Sequence, residues 1–163
     1  MQIREMTRED FDAFWPVFKS VIEARETYAF DPDMTLEEAY QIWCLYPIVS
    51  YVAVENGVIL GSYYLKANAA GPGSHVCNCG YMVSPFARGK GVAKKLCIHS
   101  QEIAEKHGFK AMQFNSVVST NTVAVNLWRK LGFRIVGTLP NAYHHAKDGY
   151  VDCHVMYKQL MPV

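Results

Sequence analysis

Tyr81-Met82-Val83-Ser84-Pro85-Phe86-Ala87-Arg88-Gly89-Lys90-Gly91-Val92-Ala93-Lys94-Lys95-Leu96 reads as a strand end, a loop with two glycines and a helix start. Pro85 cannot donate to a strand ladder and closes the strand. Gly89 and Gly91 permit backbone torsions that other residues avoid, and let a ligand approach the main chain. Beyond them, Val92, Leu96 and Ile103 share one helical face. Loop amides and the unpaired N–H groups of the first helical turn then converge on one point, which is an anion site. Arg88, Lys90, Lys94 and Lys95 add positive charge. The chemistry is that of a phosphate cradle at a strand–helix junction.

Two common phosphate loops do not fit. No Gly-x-x-x-x-Gly-Lys-Ser/Thr run exists, and the dinucleotide fingerprint fails because Lys94 stands where a third small residue belongs. What remains, Arg88-x-x-Gly91-x-Ala93, resembles the pyrophosphate loop of the GNAT superfamily of acyl-CoA-dependent N-acyltransferases. A second stretch carries the same resemblance. Asn121, Ala124, Leu127, Lys130, Gly132 and Phe133 stand in register with a common GNAT pattern, and Trp128 replaces its tyrosine.

Around these motifs the 163 residues are expected to form a single domain (1–163) with a core of its own. Half the residues are apolar and the formal charge is +1, which gives no electrostatic case for nucleic acid or an anionic membrane as partner. No apolar run is long enough for a transmembrane helix. The first residues lack a signal peptide's apolar segment. Five cysteines without framework spacing suggest reduced thiols and a cytoplasmic protein. A homodimer is left open.

Taken in order, residues 1–6 read as a strand. A helix follows from Thr7 to about Ala24, which Pro16 should bend or restart. The aromatic and acidic loop Glu26–Asp33 precedes a second helix that opens with the capping box Thr35-Leu36-Glu37-Glu38. Residues 50–55 and 58–66 form a hairpin on Asn56-Gly57. His75, Cys77, Cys79 and Tyr81 share one face of the next strand. Their spacing is not that of a usual zinc site, so no metal is expected. After the Gly89 helix and its terminating Gly108 comes a strand at 111–118, parallel to the 76–83 strand. A helix capped near Asn121 follows, then strands at 134–139 and 150–157 around a loop, Asn141–Gly149. His144 and His145 read as solvated loop residues.

The resemblance implies an α/β fold, a central mixed sheet of six or seven strands flanked by helices. It also implies a splay between the 76–83 and 111–118 strands that admits the arm of acetyl-CoA. In that frame Met82 and Val83 pair with the arm, and the Val83 N–H faces the thioester oxygen. Arg88, Gly89, Lys90, Gly91, Val92 and Ala93 take the diphosphate, while Asn121, Asn126 and Trp128 line the arm. The reaction is direct attack by a small amine, an amino acid or analogue, with Tyr28 and Phe30 as an aromatic wall. Glu26 and His145 are candidate bases by type and loop location, Asn115 and Ser116 could order a water, and Tyr143 could protonate the leaving thiolate. Two other classes stay open: a non-catalytic acyl-CoA-binding sensor and a nucleotide-binding protein.

Overall fold

The Asn56-Gly57 turn takes positive φ at both central residues, 51° and 76°, which matches the twist of the strands it joins. The computed structural model describes residues Met1–Val163. From that hairpin the chain builds β1 (Gln2–Glu5), α1 (Arg8–Ala24), α2 (Leu36–Tyr40), β2 (Val49–Glu55) and β3 (Val58–Ala67). It continues as β4 (Val76–Val83), α3 (Val92–Lys106), β5 (Ala111–Val118), α4 (Thr122–Lys130), β6 (Arg134–His145) and β7 (Gly149–Gln159). The strands form one seven-stranded sheet in the order β1-β2-β3-β4-β5-β7-β6. Only β4 and β5 pair in parallel, so the sheet is mixed, as expected.

Successive side chains of a strand point to opposite faces, and Tyr63 and Tyr64 divide accordingly. Tyr63 joins the core containing Leu65, Cys77, Cys79, Leu96 and Trp128. Tyr64 joins Phe11, Phe14, Phe18, Ile22, Trp43 and Met82 beneath α1 and α2. The α1 helix does not restart at Pro16 but continues through it as one element. Proline forfeits one backbone bond, but the fully buried face of Phe11, Phe14, Phe18 and Ile22 holds the helix together on both sides of it. The α2 helix, boxed by Thr35 and Glu38, continues into a π turn over Gln41–Leu45 that buries Trp43. No helix is long and apolar enough to cross a membrane.

Two irregularities position the site. The β4–β5 ladder consists of Val76 opposite Ala111 and Cys77 opposite Met112, after which the strands part. In β5, the register against β7 shifts between Phe114 and Val117, leaving Asn115 and Ser116 in a bulge. The sequence reading of the tail needs correction: most of its 141–149 loop is strand. A register shift between Leu139 and Tyr143, with Asn141 at φ 52°, absorbs Pro140 and lets β6 run on to His145. Tyr143 and His145 consequently face inward and are buried.

Candidate active site

The parting of β4 and β5 opens a cavity of about 1170 Å³ lined from both halves of the chain. Hydrogen-bond alternation fixes which main-chain groups face it. The Ser84 N–H donates to the Leu60 carbonyl at 2.8 Å, and Val83 is registered against Gly61. In an antiparallel pair, bonded and non-bonded residue pairs alternate. Met82 therefore bonds to β3, while the N–H and C=O of Tyr81 and Val83 point away from β3, into the gap. The Tyr28 hydroxyl confirms this direction by donating to the Tyr81 carbonyl at 2.5 Å. Met82 and Val83 both line the cavity, but its edge groups belong to Val83.

At one end lies the glycine loop. Gly89 and Gly91 adopt φ 78° and 76°, and Gly91 is the N-cap of α3 with no side-chain cap bond. The α3 first-turn amides thus lack a capping oxygen, the condition for an anion site. A Cβ at Gly89 or Gly91 would meet no atom within 4 Å, so the loop is open on its outer side. Arg88, Gly89, Gly91, Val92, Ala93 and Lys94 line the cavity. Lys90 does not: it sits in the turn between the two glycines with its side chain exposed.

The opposite wall is α4. The Asn121 side chain accepts from the Ala124 N–H at 3.4 Å, capping the helix, and Asn126 lines the cavity beside it. Trp128 is only 7% exposed and packs on Tyr81 and Phe114 at 5.0 and 5.2 Å between ring centroids. Its indole N–H has no partner within the protein and is not sealed off, and Trp128 lines the cavity.

On the α1 and α2 side, Tyr28 stacks on Phe30 (5.2 Å), and Phe30 on Phe18 (6.0 Å). These rings are both core and cavity wall. Gly80 makes room for Tyr64, because a Cβ there would come within 2.4 Å of the ring. The Tyr64 hydroxyl in turn donates to Asn78 at 3.0 Å. Burial pushes the phenols of Tyr28 and Tyr64 up, so both stay protonated. Glu26 lies at the rim, 3.6 Å from the Lys147 ammonium. Asn115 is held in an amide chain, accepting from Gln113 (2.9 Å) and donating to Asn68 (2.7 Å). The Tyr143 hydroxyl is spent on the Tyr28 carbonyl at 2.9 Å, and Tyr143 does not line the cavity.

Residues 5–133 match the acetyltransferase (GNAT) family. The chain belongs to the GNAT acetyltransferase family. This acetyltransferase is 33% identical to the N-acetyltransferase aca1 of Schizosaccharomyces pombe over 151 residues, covering 82% of this chain and 72% of that protein. It is 45% identical to a solved GCN5-related N-acetyltransferase from Kribbella flavida, with a TM-score of 0.92 and 97% and 96% of the two chains covered. It shares its fold with yncA of Salmonella typhimurium, solved with acetyl-CoA (23% identity, TM-score 0.85, 100% and 95% covered). The protein is an N-acetyltransferase.

In the acetyltransferase, the cofactor residues expected from the two motifs come together, Lys90 apart. The rest of the cavity wall was less legible. Tyr64, Lys66 and Asn78 line the cavity and no motif announced them, while His145, a candidate base by residue type, lines it as well. The alternation of Tyr143 and His145 was the available signal, masked by the turn residues around them.

Proposed function

We propose that this acetyltransferase acetylates the amine of a small molecule, an amino acid or analogue, by direct attack within a ternary complex, with residues 1–163 acting as one domain. The observation that carries the reading is the cleft-facing Val83 main chain beside an uncapped α3 N-terminus. When bound, acetyl-CoA supplies an acetyl thioester whose carbonyl oxygen gains negative charge as the amine attacks. Arg88, Gly89, Gly91, Val92 and Ala93 would hold its diphosphate, with Lys90 adding only charge at a distance. Asn121, Asn126 and Trp128 would flank the arm, and the exposed edge at Val83 would pair with it as an added strand does.

The Val83 N–H is the donor placed to stabilise the developing charge, a contribution of about 10²–10³ in rate where such donors have been removed. Burial pushes the thiols of Cys79 and Cys97 up, so neither is a ready thiolate, which favours direct attack over a covalent relay. Glu26 takes the proton of the incoming ammonium, through a water held near Asn115 and Ser116. The aromatic wall of Tyr28 and Phe30 leaves room for a small acceptor. The test is CoA-thiol release over a panel of amino acids, simple amines and lysine peptides. Amino acids and analogues are expected to lead; clear preference for peptides overturns the acceptor class.

A further inference from the structure

We infer that His145 is a fixed hydrogen-bond donor in the acceptor pocket, and that the oxygen it recognises is a carboxylate carried by the amine substrate. The inference rests on the proposed small-amine reading and adds to it a residue and a chemical group.

His145 closes β6 and is 8% exposed. Its Nδ1 accepts the main-chain N–H of Lys147 at 3.1 Å and of Asp148 at 3.2 Å. A ring nitrogen that accepts carries no proton, so the neutral imidazole holds its proton on Nε2. Turning the ring over would place a carbon at that position and forfeit both bonds, so the orientation is set by the β6–β7 turn. The Asp148 carboxylate, 3.5 Å from Nδ1, is exposed and farther away than the two amides. Nε2 has no partner in the protein, and no unpartnered side-chain nitrogen is sealed off. His145 lines the cavity, and in the proposed arrangement the free Nε2 edge of the ring faces it. With its proton there, Nε2 donates; it is not the base that abstracts a proton from the amine.

Charged residues that line the cavity bear on the choice of acceptor. Lys66 lines the cavity with its ammonium 5.4 Å from the Tyr64 ring centroid, and it makes no ion pair. Glu26 is the one acid among the lining residues. An acceptor bearing both an amine and a carboxylate meets Glu26 with one group and the His145 N–H and Lys66 with the other. An amine without the carboxylate leaves a largely buried donor unmet, which sites of this kind penalise.

Two measurements test this. The first is the ring ¹⁵N–¹H spectrum of the free protein, where His145 should show the Nε2–H tautomer. A proton on Nδ1 overturns the proposal. The second compares amino acids with the amines left by removing their carboxylates, in wild type, His145→Phe and His145→Gln. The Phe variant should lose about tenfold or more in kcat/KM for amino acids, far less for the decarboxylated amines, with KM for acetyl-CoA unchanged. Gln, whose amide can donate from the same place, should restore most of the loss. Equal losses on both acceptor sets, or none on either, overturn the assignment. If no small amine is turned over, the proposed function fails by itself. The His145 assignment is then decided by titrating the CoA-bound protein with glycine: a shifted Nε2 resonance supports it and an unmoved one overturns it.

Discussion

Replacing Gly91 by glutamate tests the phosphate cradle most directly. Gly91 sits at φ 76°, so any side chain carries the left-handed backbone penalty of about 1–2 kcal/mol. The Cβ itself meets no atom within 4 Å, so no clash adds to that figure and the variant should fold. Gly91→Ala separates the two effects, sharing the backbone strain without the charge. In Gly91→Glu a carboxylate stands at the uncapped N-terminus of α3, where it offers its own oxygens to the amides and repels a diphosphate. Two unit charges at about 4 Å repel by about 4 kcal/mol at the effective dielectric of a protein surface. Solvent and side-chain freedom reduce this, and a loss of at least ~1.4 kcal/mol, tenfold in Kd for CoA, is expected. Calorimetric titration with CoA, beside thermal unfolding of all three proteins, reads both effects. Both variants should show the stability loss, with Glu losing much more affinity than Ala. Unchanged CoA affinity in a folded Gly91→Glu protein would refute the loop assignment.

Trp128→Ala should destabilise the fold by about 3–5 kcal/mol, because the indole is a core side chain between Tyr81 and Phe114, and should also weaken acetyl-CoA binding. Trp128→Phe should be mild and leave the shape of the pH–rate profile unchanged; abolished turnover with fold and CoA affinity intact would give the indole N–H a chemical role. Tyr28→Phe removes the donor to the Tyr81 carbonyl and should cost about 1–3 kcal/mol by denaturant unfolding, with CoA affinity kept; a fall in CoA affinity would place Tyr28 on the cofactor side. Asp10 caps α1 at Thr7 and takes two bonds from Arg4, which with the cap holds its carboxyl down to about 2. Its folded pKa lies below its unfolded one, so its stabilisation is present above about pH 4 and is lost as pH falls through about 2. Asp10→Asn should thus be less stable than wild type at neutral pH and draw closer to it in acid; a gap as wide at pH 2 as at neutral pH would contradict the ion-pair account.

Much of this protein was set by local chemistry and so was legible in the chain. The Asn56-Gly57 turn, the Thr7 and Thr35 capping boxes and the Gly108 and Gly132 helix ends each depend on a few neighbouring residues. The glycine loop before α3 and the Asn121-capped helix are likewise local, and together they carried the family resemblance. The site's chemistry was settled elsewhere, by distances that no spacing encodes. That Tyr81 and Val83 turn their main chains toward the gap follows from the register of β4 against β3 and from the ladder to β5 ending after Cys77. Pro16 survives inside α1 because a buried aromatic face outweighs one lost backbone bond. His145 read as a solvated loop residue because Pro140, Asn141 and Gly149 look like turn signals, and only pairing with β7 draws the segment into a strand and buries the ring. Local torsional preferences act over a few residues and are written in the sequence; cross-strand register and burial depend on residues far apart in the chain, and only the tertiary structure brings them together.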